Sequence, residues 1–239
     1  SKKIDISEVQ IIQDGKSFFW SGKYHENMNR RDTLETQLNV LAIFDPKIPK
    51  NFTNPDILVL GNLDPNVQLS VVSQFEKKPK FIMLDTMNFW MDNSFYPLME
   101  VIKKVDLICI NEEEVIQLSG CNNLEEGVKT ILEMGPKYII MKRGEYGASV
   151  YSSSNKFDCK SFPVDNVIDP TGAGDSFAGS FAGYLAKSKN YDFNSISNAL
   201  IYANAIASFS VEKFGVENML DLKKSEIDER INYIKKHNL

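Results

Sequence analysis

Two glycines and an aspartate lie close together in the segment Asp169–Ser176, whose sequence is DPTGAGDS. Pro170 keeps the residue before it extended, and apolar residues recur at helical spacing from Phe177 onward, so the glycines lie where a helix begins. The first backbone amides of a helix have no partner within it, and Gly172 and Gly174 carry no side chain to keep a ligand away. Because the helix dipole also favours negative charge there, the segment predicts an anion site.

Asp175 occupies a position where a second negative charge would repel a bound phosphate, and two interpretations follow. Aspartate is common at helix N-termini, so its carboxylate could be an ordinary cap on a tight turn. Alternatively, Asp175 takes a proton from a substrate hydroxyl while the neighbouring amides stabilise the charge on a transferring phosphoryl group. The second interpretation predicts a base and an anion hole within one turn of the chain.

The run from Asp169 to Gly179, DPTGAGDSFAG, resembles the C-terminal signature of the ribokinase-like (PfkB) carbohydrate kinases, a fold that also includes adenosine kinases. The resemblance extends more loosely over nearly the whole chain. It implies that Asp175 is the catalytic base of a kinase that transfers the γ-phosphoryl group of ATP to a hydroxyl of a sugar or nucleoside. The residues that it assigns to the anion hole are Gly172, Ala173 and Gly174.

The resemblance implies ATP and Mg²⁺ as cofactors, with K⁺ as a further candidate. Asn111 and Glu114 match the Asn-x-x-Glu pattern with which these kinases order magnesium and the phosphates through metal-bound water. The residues alone favour a different role, since Asn111 directly follows a predicted strand and would cap a helix whose first turn favours acids. Both interpretations stay open. Asp169 and Thr171 match positions near the monovalent cation site of some members.

Lys142 and Gly144 begin a Lys-x-Gly-x-x-Gly segment that resembles one beside the nucleotide in this family. A tight turn into the next strand would also explain the glycines, and Lys142 could simply be an exposed cation. The resemblance adds further candidates on the nucleotide side, which are Thr171, Asn204 and Gly215.

Three residues are candidates for contact with the phosphate acceptor. Asp85 ends an apolar run, and in parallel sheets ligands bind beyond the carboxyl ends of the strands; capping a helix is its alternative role. Asn29 and Arg30 lie in a polar loop within residues 4–45, a segment that resembles the small β lid closing over the sugar in this family. A solvated, charged loop is the alternative there. The lid strands are also candidates for pairing across a homodimer.

Hydrophobic patterning predicts the elements that position these residues. From Asp56 onward, apolar runs at 57–60, 81–84, 106–110 and 138–141 alternate with helical patterns, which indicates a parallel sheet covered on both faces. The predicted fold is therefore α/β, a three-layer, mostly parallel sheet with helices on both faces and a small β lid. We expect one ribokinase-like domain over residues 1–239, with the α/β core at 56–239.

The lid itself is predicted from two further patterns. Apolar residues on both sides of Asp14-Gly15, a strong turn dipeptide, predict a β-hairpin over residues 4–20. From Leu34 to Phe44, apolar residues recur with a period of two, which predicts another strand with one covered face.

Composition limits the classes of function. The 239 residues are 43% hydrophobic and 25% charged, typical of a globular protein, and the net charge of −5 gives no general attraction for nucleic acid or anionic membranes. Cys109, Cys121 and Cys159 are widely spaced and odd in number, which predicts reduced, structural thiols. Because the first residues, SKKID, contain no apolar run of signal-peptide character, we expect a cytoplasmic protein. The sequence contains only two histidines, His25 and His237, which argues against a histidine-based hydrolase and against a multi-histidine metal site.

One feature of the family has no counterpart, because no two glycines are adjacent anywhere in the sequence. The family's N-terminal Gly-Gly sugar-binding motif is therefore missing, and we expect a chain that is short at its N-terminus relative to the family. This leaves an alternative function, a catalytically incomplete nucleotide-binding protein of the same fold. A dinucleotide-dependent oxidoreductase is not supported, since no Gly-x-Gly-x-x-Gly follows an early strand.

Overall fold

The computed structural model describes residues 4–26, 28 and 31–238. It divides into two compact units, residues 1–46 and residues 47–239.

The first unit contains an antiparallel ribbon of two strands, β1 (Phe19–Tyr24) and β2 (Arg31–Gln37). The register shifts between Ser21 and Gly22, which is a β-bulge. Every residue of β2 is exposed, so the strand has no covered face.

Two predictions for this unit are wrong. The hairpin predicted over residues 4–20 is absent: a turn forms where the Gly15 N–H donates to the Ile12 carbonyl (3.1 Å), but residues 4–18 contain no strand. Phe19 instead pairs with Gln37, so the ribbon closes through the later loop. The strand predicted to reach Phe44 ends at Gln37, because Asn39 adopts a left-handed φ of 50° and begins a 3₁₀ helix, Asn39–Ile43.

The second unit is built on a single mixed sheet in the described part of the chain. Its strands are β3 (Ile57–Leu60), β4 (Phe81–Asp85), β5 (Leu107–Asn111), β6 (Tyr138–Lys142), β7 (Ala148–Tyr151) and β8 (Lys156–Cys159). They lie side by side in chain order. The first four strands are mutually parallel, and the last two are added antiparallel, which confirms the mostly parallel sheet. Strand β8 is not anticipated from the sequence.

Helices connect and cover the strands. They are α1 (Pro65–Ser73), α2 (Asn88–Asn93), α3 (Phe95–Ile102), α4 (Glu112–Ser119), α5 (Leu124–Glu133), α6 (Ala173–Ser188), α7 (Phe193–Ser210) and α8 (Lys224–His237). Several begin at side-chain caps that the sequence encodes locally. The Asp64 carboxylate, for example, accepts from the Asn66 N–H (2.8 Å), with Pro65 as the first helical residue.

The side-chain alternation of the strands produces two separate cores. On β4, Ile82 and Leu84 pack with α3, α4 and α5, whereas Phe81 and Met83 pack against α6 and α7 on the other face. Because a strand sends successive side chains to opposite faces, both must be apolar when helices cover both. This arrangement confirms the predicted three layers.

We expect Gly147→Ala to lower the free energy of unfolding by about 3 kcal/mol or more, measured by urea denaturation followed by circular dichroism. Gly147 joins the β6–β7 turn at φ 95° and ψ −136°, and a Cβ there would lie 2.1 Å from the Cys159 carbonyl oxygen. The matched control is Gly179→Ala within α6, where a Cβ would meet nothing within 4 Å. Equal stability of the two variants would contradict the structure of this turn.

Candidate active site

The carboxyl ends of three neighbouring parallel strands lie at one edge of the sheet. Asp85, Asn111 and Lys142 are the last residues of β4, β5 and β6. Asn111 is in register with Lys142, and Asp85 with Cys109. The Lys142 ammonium reaches across β5 and donates to the Asp85 carboxylate, Nζ to Oδ1 3.3 Å. Residues 57 positions apart in sequence therefore form an ion pair above the sheet.

Burial and charge act against each other in this pair. Asp85 is 9% exposed, and burial raises the pKa of its carboxyl group while the Lys142 ammonium opposes that rise. Burial alone would lower the pKa of Lys142, but the neighbouring Cys109, Asp85 and Glu114 side chains act in the opposite direction, and this pKa is raised. The Cys109 thiol beneath carries no charge at neutral pH, because burial raises its pKa to about 12. We therefore assign Lys142 as a charged ammonium.

The glycine signature forms the start of α6. Gly172 is the N-cap residue in a left-handed conformation (φ 82°), and Ala173 begins the helix. The Ala173 N–H donates to the Pro170 carbonyl (3.2 Å), and the Ser176 N–H donates to the Gly172 carbonyl (2.9 Å). The N–H groups of Gly172, Gly174 and Asp175 donate to no described residue. The unpartnered amides therefore include that of Asp175, which the sequence analysis missed, whereas the Ala173 amide is engaged.

Asp175 is exposed and is the third residue of α6. No side chain caps this helix, and the Asp175 carboxylate forms no hydrogen bond or ion pair with any described residue. The interpretation of Asp175 as an ordinary side-chain cap is therefore wrong. Its negative charge helps to raise the pKa of Asp85, so the two carboxylates lie near each other.

The Lys142 side chain connects the strand ends to this turn. A Cβ built on Gly174 would lie 3.8 Å from the Lys142 Nζ, so the ammonium lies beside the helix start. Lys142 is thus neither simply exposed nor distant from the signature. The structure brings together Asp85, Lys142, Gly174 and Asp175, which the sequence analysis had treated as separate candidates.

Asn111 and Glu114 form a complete capping box at the start of α4. The Asn111 Oδ1 accepts from the Glu114 N–H (2.9 Å), and a Glu114 carboxylate oxygen accepts from the Asn111 N–H (2.8 Å). The capping interpretation is therefore correct. Glu114 is also 5% exposed and close enough to influence the pKa of Lys142. Its role towards magnesium stays a prediction.

The segment before the signature is tied to the loop that follows α7. The Val211 carbonyl accepts from the N–H groups of Ile168 (2.8 Å) and Asp169 (3.2 Å). The Asp169 carboxylate accepts from the Thr171 N–H (2.9 Å), an Asx turn that shapes the entry to the helix. Next to Val211, the Glu212 carboxylate binds the guanidinium group of Arg230 in α8.

The Arg230 side chain holds the loop after α7 in place. Its Nη2 donates to both Glu212 carboxylate oxygens (2.8 Å each), and its Nη1 donates to Ser208 (2.7 Å). The same group lies over the rings of Phe209 (3.5 Å) and Phe162 (4.4 Å). The ion pair and the two stacking contacts hold the loop end against α7 and α8.

The remaining candidates are placed as follows. Gly215 lies in the loop after α7 with φ 59°, and Gly144 begins the turn after β6 with φ 55°. Asn204 is buried in α7, and its side chain lies within hydrogen-bonding reach of the Cys159 thiol. Asn29 and Arg30 lie outside the described residues, so their assignment to the acceptor stays a prediction.

The described residues contain no group of three or more His, Cys, Asp or Glu side chains suited to a metal ion. None of the helices in this part of the chain has the length and apolar character to cross a membrane.

Comparison with known proteins gives consistent matches. The profile of the pfkB family carbohydrate kinases matches residues 24–223. The chain is 27% identical over 189 residues, 77% of its length, to the cytidine kinase of Thermococcus kodakarensis. The chain spans 66% of that relative and from 23% to 54% of other curated relatives that it matches.

Solved structures share the fold. The nucleoside kinase of Methanocaldococcus jannaschii, described as an archaeal member of the ribokinase family, superposes with a TM-score of 0.72 at 22% identity, over 92% of this chain and 70% of that one. A ribokinase II from E. coli in complex with ATP and Mg²⁺ gives a TM-score of 0.69 at 23% identity, over 91% and 71% of the two chains.

We expect iodoacetamide at pH 8 to label Cys121 in the native protein and to leave Cys109 and Cys159 unmodified. Both of these thiols are fully buried, and burial raises the pKa of each to about 12, whereas Cys121 is partly exposed. Peptide mass spectrometry measures the labelling, and urea should expose all three. Labelling of Cys109 as fast as Cys121 would contradict the closed core beneath Lys142.

Proposed function

Because the chain belongs to the pfkB family of carbohydrate kinases, we propose that it transfers the γ-phosphoryl group of ATP to a hydroxyl of a sugar or nucleoside. The observation that carries this proposal is the start of α6, where unpartnered backbone amides adjoin a carboxylate that has no structural partner among the described residues. Amides suit a transferring phosphoryl group, and a free carboxylate suits an acceptor hydroxyl.

Asp175 acts as the general base in this proposal. Its carboxylate accepts the proton of the acceptor hydroxyl as that oxygen attacks the γ-phosphorus. The bond between the γ-phosphorus and the bridging oxygen breaks, and ADP leaves with that oxygen. The N–H groups of Gly172, Gly174 and Asp175 stabilise the negative charge on the transferring group, with Ala173 supplying the backbone between them. Because Asp175 directly follows Gly174, the acceptor hydroxyl and the phosphoryl group would be bound next to each other. This proximity lowers the entropic cost of the reaction.

The residues present fit a magnesium-bound nucleotide. The helix-start amides and the Lys142 ammonium, adjacent through Gly174, are the hydrogen-bond donors that this site offers to the phosphates. Bound Mg²⁺ would neutralise charge on the β- and γ-phosphates, and Asn111 and Glu114 would hold it through water. On the nucleotide side we assign Gly144, Thr171, Asn204 and Gly215 by resemblance to the family.

A monovalent cation is a further cofactor that we propose. We place K⁺ near Asp169 and Thr171 by resemblance to some family members. The Asp169 carboxylate already accepts the Thr171 N–H, and its second lone-pair positions suit a cation. Comparing turnover in potassium and sodium chloride at equal ionic strength tests this assignment.

The acceptor belongs to the class of sugars and nucleosides. The relatives include a cytidine kinase, and the structural neighbours include ribokinase with ribose and a nucleoside kinase with inosine. For this chain we propose acceptor contacts from the lid, through Asn29 and Arg30. The lid ribbon is also the surface that we propose for a homodimer.

The test of the proposal is ATP turnover by the purified chain with Mg²⁺, against a panel containing ribose, fructose, cytidine, adenosine and inosine. Acceptor-dependent ADP release together with a phosphorylated product, seen by mass spectrometry, is the expected result. ATP binding without transfer to any acceptor would reject kinase activity and favour a nucleotide-binding protein of the same fold.

Asp175→Asn should reduce kcat by on the order of 10²–10⁴-fold, because the amide cannot accept the hydroxyl proton. Binding of ATP, measured by calorimetry, should change little, since no described residue depends on this carboxylate for a hydrogen bond. Near-normal turnover in the variant would remove Asp175 from the role of base.

Gly174→Ala should weaken ATP binding by about 10–100-fold, because its methyl group would stand between the amides and Lys142. Stability should stay equal or rise by about 0.5–1 kcal/mol, since alanine favours a helix and the Cβ would only touch the Lys142 Nζ at 3.8 Å. Gly179→Ala is the control in the same helix and should leave binding unchanged. Equal affinities in the two variants would contradict the anion site.

A further inference from the structure

The Lys142 ammonium lies in a place that is unfavourable for a cation on its own. It is largely buried, and it adjoins the N-terminal end of α6, where the helix dipole presents positive potential. The direct ion pair that helps to offset both effects is with Asp85, Nζ to Oδ1 3.3 Å. Without that carboxylate, a flexible lysine side chain would be expected to turn towards solvent.

The pair joins two elements that the chain does not connect locally. Asp85 is the last residue of β4, Lys142 is the last residue of β6, and β5 lies between them. Both side chains therefore project from rigid strand ends rather than from loops. With Asp85 on one side and Gly174 on the other, the ammonium is confined to the space above β5.

We propose that Asp85 is a positioning residue, which holds the Lys142 ammonium against Gly174 so that it meets the phosphates of the nucleotide bound at the start of α6. This inference rests on the proposed function and assigns Asp85 a role other than direct contact with the acceptor. Its carboxylate is 9% exposed and already engaged, which suits an internal support better than a substrate ligand.

The Asp85–Lys142 ion pair affects the electrostatics of phosphate binding. Glu114 and Asp175 place further negative charge around the site, and a polyphosphate would be repelled unless a cation were held at the turn. Because Asp85 pairs with Lys142 before the nucleotide arrives, the ammonium needs no reorganisation when the phosphates bind. The helix amides and the ammonium then act on the same anion from adjacent positions.

A double-mutant cycle tests the proposal, with Asp85→Asn, Lys142→Met and the combined variant measured by steady-state kinetics and by calorimetric binding of ATP with Mg²⁺. Each single variant should weaken ATP binding by about 10–100-fold, the range of one charged hydrogen bond. The combined variant should be no weaker than Lys142→Met alone, because Asp85 acts through the lysine. The KM for the acceptor should be unchanged, and Asp85→Glu should restore part of the ATP affinity.

The sheet offers a matched control at its opposite end. Asp106, immediately before β5, is a buried carboxylate (side chain 4% exposed) that pairs with Lys137 immediately before β6, at 3.1 Å. Asp106→Asn and Lys137→Met remove the same chemical groups far from the strand carboxyl ends. They should alter thermal stability without changing the affinity for ATP.

Two results would overturn the proposal. Fully additive losses in the cycle would show that Asp85 does not act through Lys142. A raised KM for the acceptor on adding Asp85→Asn to Lys142→Met would instead make Asp85 an acceptor ligand. Should Asp85→Asn alone fail to fold because an unpaired ammonium stays buried, the combined variant still decides, since it removes both charges.

Failure of the kinase function would be recognised separately. The unmodified chain would then transfer phosphate to no acceptor, while the calorimetric cycle with ATP and Mg²⁺ would still report whether Asp85 and Lys142 are coupled. Unchanged ATP affinity in Lys142→Met would reject the positioning role whether or not the chain is a kinase.

Discussion

The parallel register of β4, β5 and β6 is the constraint on which the site depends. Parallel strands end at the same edge of a sheet, so their last residues meet there whatever their distance along the chain. In this protein the register places Asp85, Asn111 and Lys142 at that edge. A slip of one residue in any of these strands would turn its last side chain into one of the two cores and separate the Asp85–Lys142 pair.

The start of α6 supplies backbone amides and a carboxylate that are available to a ligand. The backbone amides without acceptors at this helix start and the exposed Asp175 carboxylate form no bonds with described residues that stabilise the fold, so they are available to a ligand. Here they lie together, beside a lysine held by a buried acid. These groups have the hydrogen-bonding capacity that a charged ligand requires.

Hydrogen-bonded contacts stabilise the chain around this region. Arg230 binds both oxygens of Glu212, and the adjacent Val211 carbonyl accepts two amides from the segment that enters the signature. The capping box of Asn111 and Glu114 likewise fixes the start of α4. These hydrogen-bonded contacts hold the loop after α7 and the start of α4 in place. They help to keep the unpartnered amides at the start of α6 in a defined geometry, as preorganised binding of charge requires.

Local patterns in the sequence determined much of this protein. Apolar runs identified β3 to β6, because a strand covered on both faces has to be continuously apolar. The glycine signature located the start of α6, because helix initiation and φ above zero at Gly172 are local properties. The capping role of Asn111 was equally readable, since its partner Glu114 is three residues away.

Tertiary structure decided the features that depend on partners distant in the chain. The hairpin over residues 4–20 was wrong because a turn dipeptide does not specify which strands pair, and Phe19 finds Gln37 instead. Asp85 and Lys142 were recognised as candidates but not as a pair, because their contact follows from the order of strands in the sheet. The free state of the Asp175 carboxylate also required the fold, since only the arrangement of all neighbouring groups shows that none of those described binds it. The sequence determined which groups stand at the ends of strands and helices, and the long-range packing decided which of them meet.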